Sequence, residues 1–185
     1  GFRSWFPMER LSVMGLIEPL KRLPELLRIR RTCLQKFLKN PPDCFIGVDS
    51  PDFTLSVEKV LHQAGIPTVH VVSPSVWAWR PGRIKTIKAA VSLMLPLFPF
   101  EHTFYQQQGI PVHCIGHPLA DSIPLTIDTA SAKKALGFEH KKVIALLPGS
   151  RDAELRFLLP VYLQAAAQLL AQYPDAQFVM PVVSE

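Results

Sequence analysis

Two short segments hold most of the side chains in this sequence that could do chemistry. Residues 48–53 contain Asp49 and Asp52, and residues 73–80 contain Ser73, two tryptophans and an arginine. Each segment directly follows a short apolar run of the kind that forms a buried strand. Because ligands of open α/β sheets bind at the carboxyl ends of the strands, we interpret the two segments as parts of one site rather than of a core.

Asp49 is the candidate for a catalytic base. A carboxylate at a strand end that is partly shielded from water can take the proton of a sugar hydroxyl. Asp52 follows Pro51 in the same turn, and we predict that it caps a helix beginning near Thr54, since aspartate often accepts backbone N–H bonds there. A structural role for Asp49 is the alternative, because turns favour aspartate in any case.

The second segment combines aromatic and cationic side chains. In an extended backbone Trp77 and Trp79 point the same way, and indoles can stack on sugar faces, although packing in a core is their commoner fate. Arg80 is followed closely by Arg83, and guanidinium groups bind phosphate bidentately. The segment therefore favours an anionic substrate, with core packing as the alternative for the two tryptophans.

A third candidate is the turn in which Gly149, Ser150 and Arg151 follow an apolar run and open a helix. Backbone N–H groups at such a turn can face an anion, and the helix macrodipole adds to the attraction. Arg151 could then neutralise charge on a departing diphosphate. The alternative is an ordinary strand-to-helix turn in which acidic residues such as Glu154 stabilise the helix start.

Several other kinds of site lack support. His117 lies at the end of a predicted strand, whereas His70 lies within one and is predicted to pack in the core. The three cysteines are too few and too unevenly spaced for a disulfide framework or a metal site. No histidine spacing typical of a metal site, no Walker loop and no GxSxG elbow is present. No apolar run approaches the ~18 residues of a membrane span.

The alternation of strands and helices predicts the fold class. Apolar strand-like runs lie at residues 44–48, 68–72, 91–95, 112–115, 143–147 and 177–181, and helical patterns lie at 55–63, 83–90, 101–108, 130–136 and 153–172. Such alternation implies parallel βαβ units, in an α/β, Rossmann-like sheet with flanking helices. We assign residues 1–121 to one domain, 122–129 to a linker and 130–185 to the beginning of a second, truncated domain.

The first forty residues carry an apolar and basic helical pattern. Leucines recur at helical spacing from Leu16 to Leu38, and Pro19 and Pro24 predict two short helices or one helix with a break. Seven lysines and arginines between residues 18 and 39 face only two glutamates, within a net charge of +5. Such a block favours an anionic partner, either nucleic acid or acidic lipid headgroups, and a solvated helix face is the alternative.

Six motifs, taken in order, resemble the lipid-A-disaccharide synthase family. They are LSVMG at residues 11–15, GVDSPDF at 47–53, VSPSVWAWR at 72–80, PLFPFE at 96–101, IGHP at 115–118 and LLPGSR at 146–151. The resemblance covers nearly the whole chain, and its WAWR stretch is the most specific part. It implies a bacterial glycosyltransferase of the GT-B type, with an acceptor-side domain and a nucleotide-sugar-binding domain that face a cleft.

The resemblance also implies a reaction. Members of the family join UDP-2,3-diacylglucosamine to 2,3-diacylglucosamine 1-phosphate, known as lipid X. The products are UDP and the β-1,6-linked disaccharide 1-phosphate of lipid A, on the route to lipopolysaccharide. The implied location is the cytoplasmic face of the bacterial inner membrane, where the protein is peripheral, with no cofactor, no metal and no nucleic-acid partner. The oligomeric state stays open.

Residue roles follow from the same resemblance. Asp49 matches the candidate general base, which would take the proton of the acceptor's 6-hydroxyl in an inverting attack, and Arg151 matches an arginine that binds the donor's nucleotide or diphosphate. The expected substrate-binding residues are Ser73, Trp77, Trp79, Arg80, His117, Gly149, Ser150 and Arg151. The expected membrane and acyl-chain patch comprises Leu16, Ile17, Leu20, Leu23, Leu26 and Leu27.

The chain departs from the family pattern at both ends. It lacks the family's first strand with its Gly/Ser-rich loop, and it lacks most of the C-terminal domain. We therefore expect a fragment that is inactive alone. The alternatives are another GT-B UDP-sugar enzyme, such as a UDP-N-acetylglucosamine epimerase, a nucleic-acid-binding module and a fragment without a function of its own.

Overall fold

The computed structural model describes residues 3–6, 18–139 and 142–182, apart from the side chains at 18–22 and 152–153. The chain divides into two compact units, Gly1–Ile123 and Pro124–Glu185. Both units contain parallel strands flanked by helices. The predicted α/β class with parallel sheets is therefore confirmed.

The first unit alternates strands and helices after one long helix. Its elements are α1 (Glu18–Lys39), β1 (Phe45–Val48), α2 (Pro51–Gln63), β2 (Thr68–Val71), α3 (Arg83–Lys88), β3 (Leu93–Leu95), α4 (Pro99–Gln107) and α5 (Pro118–Ser122). The strands lie side by side in the order β1, β2, β3, and both pairings are parallel. The segments that follow β1 and β2 therefore leave the sheet at the same edge.

Two apolar clusters form the core of this unit. In one, Val57 and Leu61 of α2 pack with Ile66 against side chains of α1 and β1. In the other, Met94 of β3 is fully buried among residues of α2, α3 and α4. Full burial of a side chain of this size stabilises the fold by about 1.5–3 kcal/mol, so these clusters fix the helices against the sheet.

A carboxylate and an imidazole are buried as a pair beside β1. Glu58 of α2 and His70 of β2 are both fully buried, and His70 Nδ1 lies 2.9 Å from Glu58 Oε1. Gly47, which is paired with His70 in the sheet register, leaves room for the carboxylate. A Cβ atom added at Gly47 would lie 1.9 Å from Glu58 Oε1. The pair therefore ties α2 to two strands at once, and His70 packs in the core as predicted.

The second unit has fewer described helices and strands than the first. It contains α6 (Thr129–Ala135), β4 (Lys142–Ala145), α7 (Asp152–Gln172) and β5 (Ala176–Val179), and β4 pairs with β5 in parallel. Its buried residues among those described are Pro148, Ala166 and Ala176, whereas Phe157 is 74% exposed. The described part of this unit thus buries much less apolar side chain than the first unit does.

Three sequence expectations differ from the structure in detail. The strand predicted at residues 112–115 is a single bridge between Met94 and Val112, because Pro96, which directly follows β3, has no N–H to extend the ladder. Helix α2 begins at Pro51 rather than near residue 55, since proline suits the first helical position. Helix α1 is continuous, with Pro24 inside it.

Among the described residues, no helix has both the length and the apolar character needed to cross a membrane.

Candidate functional site

Asp49 lies in the turn between β1 and α2, where the backbone is strained. Asp49 and Ser50 have φ angles of 52° and 46°, in the left-handed region that residues other than glycine rarely adopt. The Asp49 N–H donates to the Val71 carbonyl of β2 at 2.9 Å, and the Thr54 hydroxyl donates to the Asp49 carbonyl at 2.8 Å. Such residues cost about 1–3 kcal/mol each and cluster at functional sites.

The Asp49 carboxylate itself is exposed, and no described residue donates a hydrogen bond to it. Its backbone is thus fixed on both sides while its side chain is available. A carboxylate in this condition can accept the proton of a bound hydroxyl once a substrate shields it from water. The catalytic role assigned to Asp49 from the sequence stays a prediction that this geometry permits.

Asp52 does not have its predicted role. The residue that precedes α2 is Ser50, and Asp52 lies within the first turn of the helix. Its carboxylate forms an ion pair with the Arg83 guanidinium of α3 instead. The expectation that Asp52 caps the helix is therefore wrong, because the helix begins at Pro51 and carries Asp52 past the capping position.

Ser73 is held in place at the end of β2 by a buried tyrosine. Val72 adopts a φ of 70°, which is an outlier for a β-branched residue. The Ser73 hydroxyl then lies 2.7 Å from the hydroxyl of Tyr105, which is fully buried in α4. Burial raises the pKa of Tyr105 to about 12, so the phenol stays protonated at neutral pH and can donate a hydrogen bond. Sequence reasoning did not single out Tyr105.

Trp77 and Trp79 do not lie in an extended segment. The Ser75 carbonyl accepts hydrogen bonds from the N–H groups of Ala78 and Trp79, both at 3.1 Å, and these close a turn. The extended backbone that would point the two indoles the same way is therefore not present in this segment. Both side chains are exposed, by 50% for Trp77 and 61% for Trp79, so core packing does not account for them.

Trp77 belongs to an exposed aromatic surface that also includes Phe98, Phe100 and His117. Trp77 and Phe100 meet edge to face with ring centroids 5.1 Å apart, and Phe98 stacks on Phe100 at 5.9 Å. The His117 ring lies 5.9 Å from Phe98, and its Nδ1 accepts the Leu119 N–H. The structure thus brings His117 and Trp77 onto one surface. The two phenylalanines were missed, although the PLFPFE motif contains both.

Arg80 and Arg83 lie on one pocket, as their spacing suggested. The pocket has a volume of about 590 Å³ and is lined by the beginnings of α2 and α3 together with Arg80. The Arg80 guanidinium lies 4.3 Å from the centroid of the Trp79 ring, a contact that orients its planar donors. Lys59 of α2 also lines the pocket, and sequence reasoning missed it.

The turn between β4 and α7 contains the other predicted substrate-binding residues. Gly149 has a φ of 113°, which explains the glycine. The Glu154 carboxylate accepts the N–H groups of Ser150 at 3.1 Å and Arg151 at 3.3 Å, and it pairs with the Arg151 guanidinium at 2.5 Å. The N–H of Ser150, more than any other group, lowers the pKa of the Glu154 carboxyl. Glu154 thus stabilises the helix start, as the structural alternative proposed.

The predicted membrane patch is described only in part. Leu23 is 46% exposed, and Leu26 and Leu27 are half-buried. Leu16 and Ile17 lie outside the described residues, as does the side chain of Leu20. On the same helix, exposed basic side chains include those of Arg28, Arg31, Lys36 and Lys39. The described part of α1 therefore presents leucine and basic groups together at the surface.

The described ranges hold no group of three histidine, cysteine, aspartate or glutamate residues that could bind a metal ion. The three cysteines are free thiols. Burial raises the pKa of the Cys33 thiol above its ordinary value. Since the thiolate is the nucleophile, this shift of the pKa lowers the reactivity of Cys33 at neutral pH.

Comparison with known proteins gives concordant results. The family model described as "Lipid-A-disaccharide synthetase" matches residues 1–185. A lipid-A-disaccharide synthase of Saccharophagus degradans is 52% identical over 188 residues, covering 100% of this chain and 48% of the relative. Proteins with the same name from Pseudomonas putida strain F1 and Pseudomonas aeruginosa strain UCBPP-PA14 are 54% and 53% identical, over 98% and 100% of this chain. The chain spans about half the length of these curated relatives.

Proposed function

The chain belongs to the lipid-A-disaccharide synthetase family, and on this premise we propose that it forms part of a glycosyltransferase that joins two acylated glucosamines. The donor is UDP-2,3-diacylglucosamine, the acceptor is 2,3-diacylglucosamine 1-phosphate, and the products are the β-1,6-linked lipid A disaccharide 1-phosphate and UDP. The relatives described above carry the name of the synthase rather than that of an epimerase. The first unit contributes acceptor-side residues, and the second contributes donor-side residues.

Asp49 is the general base of the proposed reaction. Its carboxylate takes the proton of the acceptor's 6-hydroxyl, and the oxygen attacks the anomeric carbon of the donor. The bond from that carbon to the diphosphate oxygen breaks, and the bonding electrons leave with UDP. One attack from the opposite side inverts the configuration, as in inverting glycosidases. The observation that carries this assignment is an exposed carboxylate without a described partner on a strained, fixed backbone.

The β4–α7 turn supports a role toward the donor. Its N–H groups at Ser150 and Arg151 already hold a carboxylate in a hydrogen-bonded arrangement, and a diphosphate oxygen has the same acceptor chemistry. Arg151 supplies positive charge to the leaving UDP. Gly149 permits the turn, because its φ of 113° is costly for any other residue.

The acceptor is bound by residues at the carboxyl ends of β2 and β3. Ser73, fixed by Tyr105, offers a hydroxyl, and Trp79 together with the exposed aromatic surface offers apolar area to sugar faces or acyl chains. His117 closes that surface through its contact with Phe98. Exposed rings of this size are costly in water, which supports a partner that covers them.

The protein acts as a peripheral protein at the cytoplasmic face of the inner membrane. Leu23 with the exposed basic groups of α1 supports contact with an anionic leaflet, because apolar burial and attraction to acidic headgroups act together at such surfaces. The same contact would bring lipid substrates to the acceptor side.

Product analysis tests the function. For this test the matched segment of the Pseudomonas putida strain F1 relative is replaced by this chain, which gives a full-length protein, hereafter the completed enzyme. With both lipids present, mass spectrometry should find disaccharide 1-phosphate and UDP in equal amounts, and neither should form when the acceptor is left out. Release of UDP without acceptor, or conversion of the donor to an epimer, would contradict the proposal.

A further inference from the structure

The pocket between the starts of α2 and α3 is rich in cations. Its volume is about 590 Å³, and its polar lining consists of Asp52, Ser56, Lys59, Arg80, Arg83 and Thr86. Three of these side chains are cationic at neutral pH and one is a carboxylate, which leaves an excess of positive charge. Two hydroxyls add further hydrogen-bonding groups, so the polar side of the pocket favours an anionic ligand.

Two of the three cations are available. Arg83 is paired with Asp52, but within the described parts of the chain neither Lys59 nor Arg80 pairs with a carboxylate. The Arg80 guanidinium also lies over the Trp79 ring, a contact that restricts its motion and lowers the entropy lost when it binds a ligand. Guanidinium and ammonium groups that face one space are the usual recognition elements for phosphate.

The pocket also adjoins the candidate base. Pro51 lines it and lies two residues after Asp49, so the two Cα atoms are at most ~7 Å apart. A sugar that presents one hydroxyl to Asp49 therefore extends its other ring substituents into reach of the pocket. The strained turn at Asp49 and the cationic pocket are therefore close neighbours in the first unit.

We propose that this pocket binds the phosphate monoester at C1 of the acceptor sugar, with Lys59 and Arg80 as direct contacts. The inference rests on the proposed function, because that function supplies an acceptor with a 1-phosphate. A phosphate monoester carries a charge of about −1.5 to −2 at pH 7, which the excess positive charge of the pocket neutralises. Free phosphate has the same chemistry, and the experiment separates the two sources.

Binding to the 185-residue chain is measured first, by NMR titration with glucosamine 1-phosphate, with glucosamine and with inorganic phosphate. Glucosamine 1-phosphate should shift amide signals at residues 52–59 and 80–86 and should bind more tightly than either of the other two compounds. Lys59→Gln and Arg80→Gln should each raise the Kd about tenfold, the loss expected for one charge-assisted hydrogen bond. Lys85→Gln is the matched control, because Lys85 is an exposed lysine of α3 that does not line the pocket.

Two results of the titration would overturn the proposal. One is an equal Kd in Lys59→Gln and Lys85→Gln variants whose spectra retain the wild-type dispersion. The other is binding of inorganic phosphate as tightly as glucosamine 1-phosphate, which would mean an adventitious ion only. Retained dispersion is required in each variant, so a folding defect is not mistaken for lost binding.

Kinetics of the completed enzyme give a second, independent readout. The ratio of kcat/KM for the phosphorylated acceptor to kcat/KM for the acceptor without its 1-phosphate should fall about tenfold in Lys59→Gln. The ratio should keep its wild-type value in Lys85→Gln. An unchanged ratio in Lys59→Gln would contradict the pocket assignment alone, whereas a wild-type completed enzyme that forms no disaccharide would contradict the proposed function.

Discussion

Two strand-to-helix turns carry candidate site residues, and they are held in different ways. The β1–α2 turn has positive φ angles at Asp49 and Ser50, without a glycine. Its backbone is held by the Val71 carbonyl of β2 and the Thr54 hydroxyl of α2, and the buried Glu58–His70 pair joins α2 to β2. The β4–α7 turn uses Gly149 for its positive φ, and its polar groups are bonded by Glu154 within the same turn.

The difference determines how much each turn would have to rearrange to bind a ligand. Support through its backbone atoms leaves the Asp49 carboxylate free of described partners, so the turn can receive a hydroxyl without rearranging. Local support engages the Arg151 guanidinium and two N–H groups with the protein's own carboxylate. A diphosphate must displace Glu154 before it can bind there. The first turn leaves its carboxylate unengaged, whereas the polar groups of the second turn are already engaged by Glu154.

The largest effect is expected from Gly47→Ala, which disrupts the buried Glu58–His70 pair that joins α2 to β2. A Cβ atom would lie 1.9 Å from Glu58 Oε1 and would push the buried carboxylate off His70. Breaking a buried pair of this kind costs about 3–5 kcal/mol. Urea unfolding followed by tryptophan fluorescence measures it, because all three tryptophans lie in the first unit.

Gly82→Ala is the control for this measurement. Gly82 has a φ of −60°, and nothing lies within 4 Å of its would-be Cβ atom, so the free energy of unfolding should change by less than about 1 kcal/mol. If Gly47→Ala were as mild as Gly82→Ala, the buried pair would not support the first turn.

Arg151→Gln tests the second turn through catalysis. Loss of a cation that faces developing charge costs about a hundredfold in rate, so kcat of the completed enzyme should fall by about that factor. Arg156→Gln, on an exposed arginine one turn further along α7, should leave kcat near the wild-type value. Equal effects of the two substitutions would remove Arg151 from the donor site.

Glu154→Gln should have the smallest effect and should run the other way. Glutamine can still accept the N–H groups of Ser150 and Arg151, but it no longer competes as an anion with the diphosphate. We expect UDP to bind the completed enzyme about threefold more tightly, a change typical of one charge at a helix start. Calorimetry measures the Kd, and weaker binding in the variant would show that Glu154 assists the ligand.

The wild-type protein and the Glu154→Gln variant should also differ in how their stability depends on pH. The Ser150 N–H holds the pKa of the Glu154 carboxyl below its usual value. The stability that this carboxylate contributes is therefore present above its unfolded-state pKa and is lost as the pH falls through the lowered folded-state pKa. Thermal unfolding of Glu154→Gln should lack this acid-side loss, and an unchanged acid-side profile would contradict the cap.

The sequence predicted the positions of the helices and strands better than it predicted the backbone conformation at their ends. Short apolar runs located all three strands of the first unit, because buried parallel strands are apolar on both faces. Val72 was read as part of β2, yet it adopts a φ of 70°, which no local preference of a β-branched residue indicates. The turn at Trp77 and Trp79 depends on hydrogen bonds from Ser75 that have no pattern in the sequence.

The sequence identified those candidate site residues whose type alone indicates a chemical or structural role. Asp49, Arg80 and Gly149 were recognised because a carboxylate, a guanidinium and a glycine have few roles at a strand end. Lys59 and Tyr105 were missed, since each reaches the site from a helix whose rotation only packing decides. Residues brought together by tertiary structure need the structure to be found.

The central claim is that the free carboxylate of the first turn is the base of the reaction. The direct measurement is kcat of the completed enzyme with Asp49→Asn, set beside Asp52→Asn in the same turn. A general base contributes about 10²–10⁴ in rate, so Asp49→Asn should lose at least about a hundredfold, whereas Asp52→Asn should lose far less. Wild-type kcat in Asp49→Asn, with both lipids saturating, would contradict the account.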